Sequence, residues 1–303
     1  MSNAKTLTFY FEPDMRKRAK TGQINFVNRI VAAFDSCGYQ CLFKGNSEVE
    51  VLQSANDPGY SLFFMESPFH DRALTMRLSY FYPFWQIESS AKRWEWAVAR
   101  ANFQPETVDA NEAEQFTAYW RKRLFGDATT RNGGYVFIPL QGRLLERRSF
   151  QATSPIEMIK ATLAHELDRP VHATLHPKEK YTDEERDRLS DLVGQYPHLT
   201  VSNADAVPLV RDCDYVVTQN SGVAMTGYFH QKPVVLFGKV DFHHIAANVF
   251  DSGENGAFDR VGQMQPDYSR YLFWFLQKMA INAGRPDAED KILAAVRARG
   301  WDV

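Results

Sequence analysis

The chain has 303 residues, 44% hydrophobic and 24% charged, with a formal net charge of -2, the profile of a globular protein long enough for two cores. That balance excludes the electrostatic footprint of a nucleic-acid binder, and no apolar run approaches the ~18 residues needed to cross a bilayer. Cys37, Cys41 and Cys213 are odd in number and lack C-x-x-C spacing, so a cytoplasmic setting is expected rather than a disulfide framework.

Residues 6–11 alternate in strand fashion and are rich in β-formers. A loop through Glu12, Pro13 and Asp14 is expected next, then a basic cluster of Arg16, Lys17, Arg18 and Lys20. Ile24, Val27, Ile30, Val31 and Phe34 recur at helical spacing, and Gly38 should stop that helix. Strands follow at 39–43 and 61–65, the second opening into a polar loop with Glu66, His70 and Asp71. Strand, helix, strand is how a doubly wound sheet begins.

Between Met76 and Trp96 aromatic residues crowd together, among them Tyr80, Tyr82, Phe84, Trp85 and Trp96, interleaved with Arg77, Lys92 and Arg93. Such a mixture suits a membrane-facing or lipid-acceptor surface, but base rates for aromatics favour packing between helices and a second domain. A helix is expected over 112–124. The polar, Gly-rich stretch 125–134 then reads as a linker.

A second α/β pattern begins at residue 135, with strands at 135–140, 171–175, 199–202 and 215–218. Ser154-Pro155-Ile156-Glu157 and Thr182-Asp183-Glu184-Glu185 both read as capping boxes opening the intervening helices. Apolar residues over 267–283 recur too densely for a free surface helix, and a last amphipathic helix is expected over 292–299. The predicted domains are therefore 1–132, 133–265 and a C-terminal segment 266–303 lying back across the first. Each of the first two is a Rossmann-like α/β domain.

Ligands of open α/β sheets bind outside the carboxyl ends of the strands. Three turns of the second half should meet there: Gln141-Gly142-Arg143, His176-Pro177-Lys178, and Gln219-Asn220-Ser221-Gly222. They offer amide, imidazole, cation, hydroxyl and a helix start, a plausible receptor for phosphate. Neither G-x-G-x-x-G nor a Walker loop is present, so a dinucleotide cofactor and the commonest nucleotide-hydrolysing design are not expected. Asp212-Cys213-Asp214 has the D-x-D spacing of a metal–nucleotide site but precedes a strand, which reads as a helix end on the wrong edge. His243 and His244 are adjacent, so their side chains should diverge and no shared metal is expected. Asn220-Ser221-Gly222 lacks the G-x-S-x-G of a serine hydrolase.

The strand ending Pro139-Leu140-Gln141, the run Thr174-Leu175-His176-Pro177-Lys178, and the stretch from Gln219 to Gly238 together resemble the capsule polysaccharide biosynthesis family, which includes bacterial Kdo transferases. The resemblance covers 133–250. It implies a GT-B architecture: two Rossmann-like domains facing a cleft, with a C-terminal helix crossing back to the first. It further implies a glycosyltransferase of surface polysaccharide synthesis, using a CMP-activated sugar as donor substrate with no resident cofactor or metal. His176 and Ser221 would contact the donor's phosphate or sugar carboxylate, with Gln141 lining the pocket.

A carboxylate of the first domain would then deprotonate the acceptor, and Asp14, Glu66 and Asp71 are the candidates because each follows a strand. Arg16, Lys17 and Arg18 could meet an anionic glycan or glycolipid acceptor, with peripheral contact at the inner membrane. A UDP- or GDP-sugar donor is the alternative, with Asp241 the nearest carboxylate for a ribose. A non-catalytic nucleotide- or glycan-binding protein is the third reading.

Overall fold

The computed structural model describes residues 5–303. The strands are β1 (Thr6–Phe11), β2 (Gln40–Gly45), β3 (Tyr60–Phe64), β4 (Ala73–Leu78), β5 (Phe84–Glu88) and β6 (Val136–Pro139), followed by β7 (Val171–Thr174), β8 (Leu199–Ser202), β9 (Tyr215–Thr218), β10 (Val234–Leu236), β11 (Ala247–Asn248) and β12 (Ile281–Asn282). They form two six-stranded sheets in two compact units. One unit is the chain up to Ala101 with Trp274–Val303, and the other is Asn102–Phe273. Two mostly parallel α/β sheets are what the alternation of strands and helices predicts.

The first sheet runs β12-β5-β4-β3-β1-β2. Strands β2, β1, β3 and β4 are parallel, while β5 and β12 are antiparallel additions at one edge. Leu7, Phe9 and Phe11 alternate onto one face, where they meet Phe26, Val27, Ile30 and Phe34 of the helix Asn25–Ser36. The last helix, Ala288–Arg297, packs on that same helix and adds Ile292 and Val296 to the core.

Three features of this unit differ from the sequence reading. Residues 13–20 form a helix, not a loop: Pro13 supplies its fixed φ at the first position, Asp14 sits in the first turn, and Lys17, Arg18 and Lys20 sit in the last, matching the helix dipole. The aromatic stretch hides two strands, β4 and β5. Their turn is built from aromatic residues with Tyr80 at φ +65°, so the usual Gly/Asn turn signal is missing. Three of these aromatics, Phe84, Trp85 and Trp96, are core, and Trp85 stacks on Phe26 at 4.8 Å, while Tyr82 is exposed. The stretch 267–283 breaks into a short helix Tyr268–Phe273, a π-helical turn Trp274–Lys278 and β12.

The second sheet is entirely parallel, in the order β11-β10-β9-β6-β7-β8. Renumbered within the unit this is 6-5-4-1-2-3, the strand order of a Rossmann domain. Its strands read as continuous apolar runs because both faces are covered; all four residues of β6 and all four of β9 are buried. Thr182 forms the predicted capping box with Glu185. At Ser154 only half of the box forms, because the Glu157 carboxylate pairs with Lys160 at 2.8 Å instead.

The Gly-rich stretch before β6 packs on this unit. Lys232 Nζ donates to the Arg131 carbonyl and to Asn132 Oδ1 (2.9 Å), and Thr130 meets His230 Nδ1 at 3.1 Å. No helix among the described residues is long and apolar enough to cross a membrane.

Candidate functional site

In the second sheet the strand order reverses between β6 and β9, the kind of switch point at whose carboxyl edge open α/β sheets bind ligands. Gln141 follows β6, His176 follows β7 and Gln219 follows β9, so three adjacent strands deliver the three predicted turns to one edge. Gln219 is 3% exposed. Its Nε2 donates to the Thr153 carbonyl at 3.1 Å, which fixes the amide's orientation and leaves Oε1 closed to solvent with no partner. Gln141 Oε1 is orphaned in the same way. A buried acceptor without a donor costs about 1–3 kcal/mol, so these two oxygens are free to accept from a ligand bearing N–H or O–H groups.

His176 is anchored through its backbone, whose N–H donates to the Tyr181 hydroxyl at 2.7 Å. Its Nδ1 accepts from the Lys178 N–H at 3.2 Å, which places the neutral ring's proton on Nε2 and makes that nitrogen a donor. Pro177 and Lys178 are exposed beside it. Arg143 is exposed at φ +62° and reaches Glu146 at 3.5 Å.

The turn after β9 is partly self-satisfied. Ser221 N–H donates to Thr218 Oγ1 and Val223 N–H to Ser221 Oγ, both at 3.3 Å, so the hydroxyl of Ser221 already accepts from the first N–H of the seven-residue helix Val223–Phe229, whose N-cap is Gly222. Asn220 and Gly222 flank it half-buried.

The long loop from β6 to the helix Pro155–His165 brings in residues the motifs do not show. Arg148 is half-buried over the Phe150 ring at 4.8 Å, and its Nε and Nη2 are closed to solvent without partners. Burial, and Arg143 nearby, hold its guanidinium below the usual arginine range. Gln151 is 1% exposed; its Oε1 accepts from the Arg148 N–H at 2.8 Å while Nε2 is orphaned.

The loop is pinned to the end of β10 by Ala152 N–H to the Phe237 carbonyl and Lys239 N–H to the Phe150 carbonyl. It is pinned on the other side by Glu185, whose buried carboxylate accepts from both Leu144 and Thr182 N–H groups. Only the unmatched atoms reveal Arg148 and Gln151, because an aperiodic loop carries no sequence signal for burial.

In the first sheet the order reverses between β1 and β3. A cavity of about 440 Å³ lies there, lined by Glu12, Asp14, Arg18, Phe64, Tyr82 and Trp85, among others. Asp14 and Arg18 are neighbours on one helical face at 3.9 Å. Arg16 and Lys17 point elsewhere, since successive helical residues turn by about 100°. The three basic residues therefore do not form one patch.

Glu66 follows β3 and accepts from Asn46 Nδ2 at 2.9 Å, arching over the end of β1. Asp71 is on the opposite edge: it precedes β4, whose Ala73 pairs with Ser61 at the start of β3. Asp14 and Glu66 share an edge, and Asp71 does not.

The rival sites resolve as follows. Asp212 is bound by Arg211 at 2.5 Å, and Asp214 accepts from Gly134 N–H at 3.0 Å, on the amino edge as predicted. His243 and His244 do not diverge; in a tight 3₁₀ turn their rings stack at 4.3 Å, and His244 Nδ1 lies 3.0 Å from the Tyr271 hydroxyl. Asp241, the carboxylate of the alternative donor reading, is completely buried.

No protein-family model and no curated protein matches the chain. Solved structures do. The β-Kdo 2,7 transferase of Thermosulfurimonas dismutans KpsC aligns over 97% of this chain and 99% of its own, at 12% identity and a TM-score of 0.55. The β-Kdo 2,4 transferase of the same protein aligns over 89% and 90% at 10% identity, with a TM-score of 0.47. The Staphylococcus aureus MnaA–UDP structure aligns over 97% and 96% at 10% identity, with a TM-score of 0.34. The fold of this chain is thus that of the β-Kdo 2,7 transferase, the two-domain GT-B fold that the resemblance implies.

Proposed function

We propose that the protein is a metal-independent glycosyltransferase whose donor is a CMP-activated acidic sugar of the Kdo kind and whose acceptor is an anionic glycan of a surface polysaccharide. The observation that carries this is the set of unmatched buried polar atoms at the switch point of the second sheet: acceptors on Gln141 and Gln219, donors on Arg148 and Gln151. A ligand that satisfies both kinds must combine hydroxyl or amine groups with negative charge, as a nucleotide-linked sugar acid does.

In this reading His176 donates from Nε2 to the phosphate, and the cations Lys178, Arg143 and Arg148 stabilise the charge that develops on departing CMP, the part a metal plays elsewhere. Asp14 and Glu66, at the carboxyl edge of the first sheet, are the candidate bases for the acceptor hydroxyl. The cavity beside Asp14, with Tyr82 53% exposed on its wall, suits a sugar ring stacked on an aromatic face.

The test is thermal unfolding with CMP, UDP, GDP or inorganic phosphate. CMP at a hundred times its dissociation constant should add about 2.7 kcal/mol. His176→Ala should lose most of that gain while unfolding normally alone. A shift with UDP or GDP in place of CMP would overturn the donor assignment, and no shift with any nucleotide would overturn the site.

A further inference from the structure

The Arg148 guanidinium lies over the Phe150 ring, and among the described residues no oxygen accepts from its Nε or Nη2. Its Nε and Nη2 are both closed to solvent and without a hydrogen-bond partner, an arrangement that costs stability because buried donors lose water without replacement. No carboxylate bonds to it, although Glu146 and Glu179 are near enough to influence its charge. The adjacent Gln151 adds a third orphaned donor and is itself almost fully buried. The segment is not loose. Its main chain is bonded to the end of β10, Gln151 pairs with Gly238, and Arg147 Nε donates to the Gln151 carbonyl at 3.2 Å. Donors are therefore held in fixed positions at the carboxyl edge of the second sheet, next to Gln141 and Gln219.

We infer that Arg148, seconded by Gln151, receives an oxyanion of the sugar-nucleotide donor and so selects donors that carry one in that position. This rests on the donor reading given above and sharpens it. The planar fork of Arg matches a carboxylate or a phosphate through two parallel hydrogen bonds, which an ammonium does not reproduce. The two available oxyanions are the carboxylate of the sugar and the phosphate that links it, and the unmatched nitrogens fit either.

The experiment measures the affinity of the full chain for CMP and for CMP-N-acetylneuraminate or CMP-Kdo, with Arg148→Met, Arg148→Lys and Arg147→Met alongside. Arg148→Met should weaken the CMP-linked sugar acid tenfold or more, and Arg148→Lys should recover only part. If CMP alone binds the Met variant as tightly as the wild type, the oxyanion is the carboxylate; if CMP weakens equally, it is the phosphate.

The unliganded Arg148→Met protein should melt no lower than wild type, because two unsatisfied buried donors have been removed while the methionine can still pack on the Phe150 ring, whereas a structural arginine would lower the melting point. Unchanged affinity in Arg148→Met overturns the inference. So does an equal loss in Arg147→Met, which disturbs the loop but leaves the orphaned guanidinium in place. If the wild type binds none of these nucleotides, the donor reading itself fails.

Discussion

A methyl group on Gly238 would stand 2.6 Å from the carbonyl oxygen of Gln219, closer than carbon and oxygen tolerate. The glycine that ends the long motif is therefore there to let two strand ends and the Gln151 backbone come together. Gly238→Ala should cost about 1–3 kcal/mol, read as a lower urea midpoint, because backbone has to move rather than a flexible side chain. It should also blunt the response to CMP, since the atom displaced belongs to the residue that presents the orphaned oxygen.

At this scale the sequence is uneven. Gln141, His176 and Gln219 are visible because each directly follows an apolar strand, and sheet geometry sends such residues to the ligand edge. Arg148 is invisible, because its burial comes from a loop folding back on β10, which no periodicity encodes. Asp71 misleads for a related reason: without β4 in view, the residue seems to follow β3 when it leads into the next strand.

The elements most legible in the sequence are those whose caps and periods agree, such as the helix Asp183–Gln195 behind its capping box. Those that fail are locally ambiguous. The helix Pro13–Lys20 is mostly polar and looks like a loop, and the turn joining β4 to β5 lacks the usual Gly/Asn signal. The segment 125–134 reads as a linker because it is polar, yet it is fastened by partners from a distant part of the chain. One of these fastenings responds to pH. Burial, reinforced by Arg121, Arg211 and Lys232 and opposed by Asp212, pushes the His230 imidazole down to about 4 from its ordinary 6.5. The unfolded chain takes up a proton as pH falls through 6.5, and the folded protein resists until about 4. His230 therefore favours folding fully at neutral pH and progressively less across that window, by at most about 1.4 kcal/mol per pH unit. Urea midpoints at pH 7 and pH 5 should differ more for the wild type than for His230→Gln.

For the whole molecule, the C-terminal thirty residues are part of the first unit's core. Ile292, Val296 and Trp301 are buried in it, and β12 continues its sheet. Arg299 Nη2 meets Glu88 at 2.6 Å, with the carboxylate 2% exposed and also accepting from Ala97 N–H. Arg299→Met leaves that carboxylate buried without its cation and should cost about 3–5 kcal/mol, whereas Glu88→Leu with Arg299→Met should recover much of the loss. Melting temperatures of the single and double variants decide it. The apolar density of 267–283 predicts a segment lying back on the first domain, yet its helix Tyr268–Phe273 falls in the second unit and only Trp274–Val303 in the first. Which strand the tail extends is not legible, because a two-residue pairing leaves no pattern.

This discontinuity bears on how the protein is made. Ribosomes add roughly 5–20 residues per second, so about ten to thirty seconds separate the emergence of Ala101 from that of Trp274. During that interval the first sheet has an open edge at β5, an uncovered face on the helix Asn25–Ser36 and a Glu88 still waiting for Arg299. The second unit, continuous from Asn102 to Phe273, can close meanwhile. The half that is synthesised first is thus the half that finishes last, and its exposed strand edge is the surface a nascent-chain chaperone would need to guard.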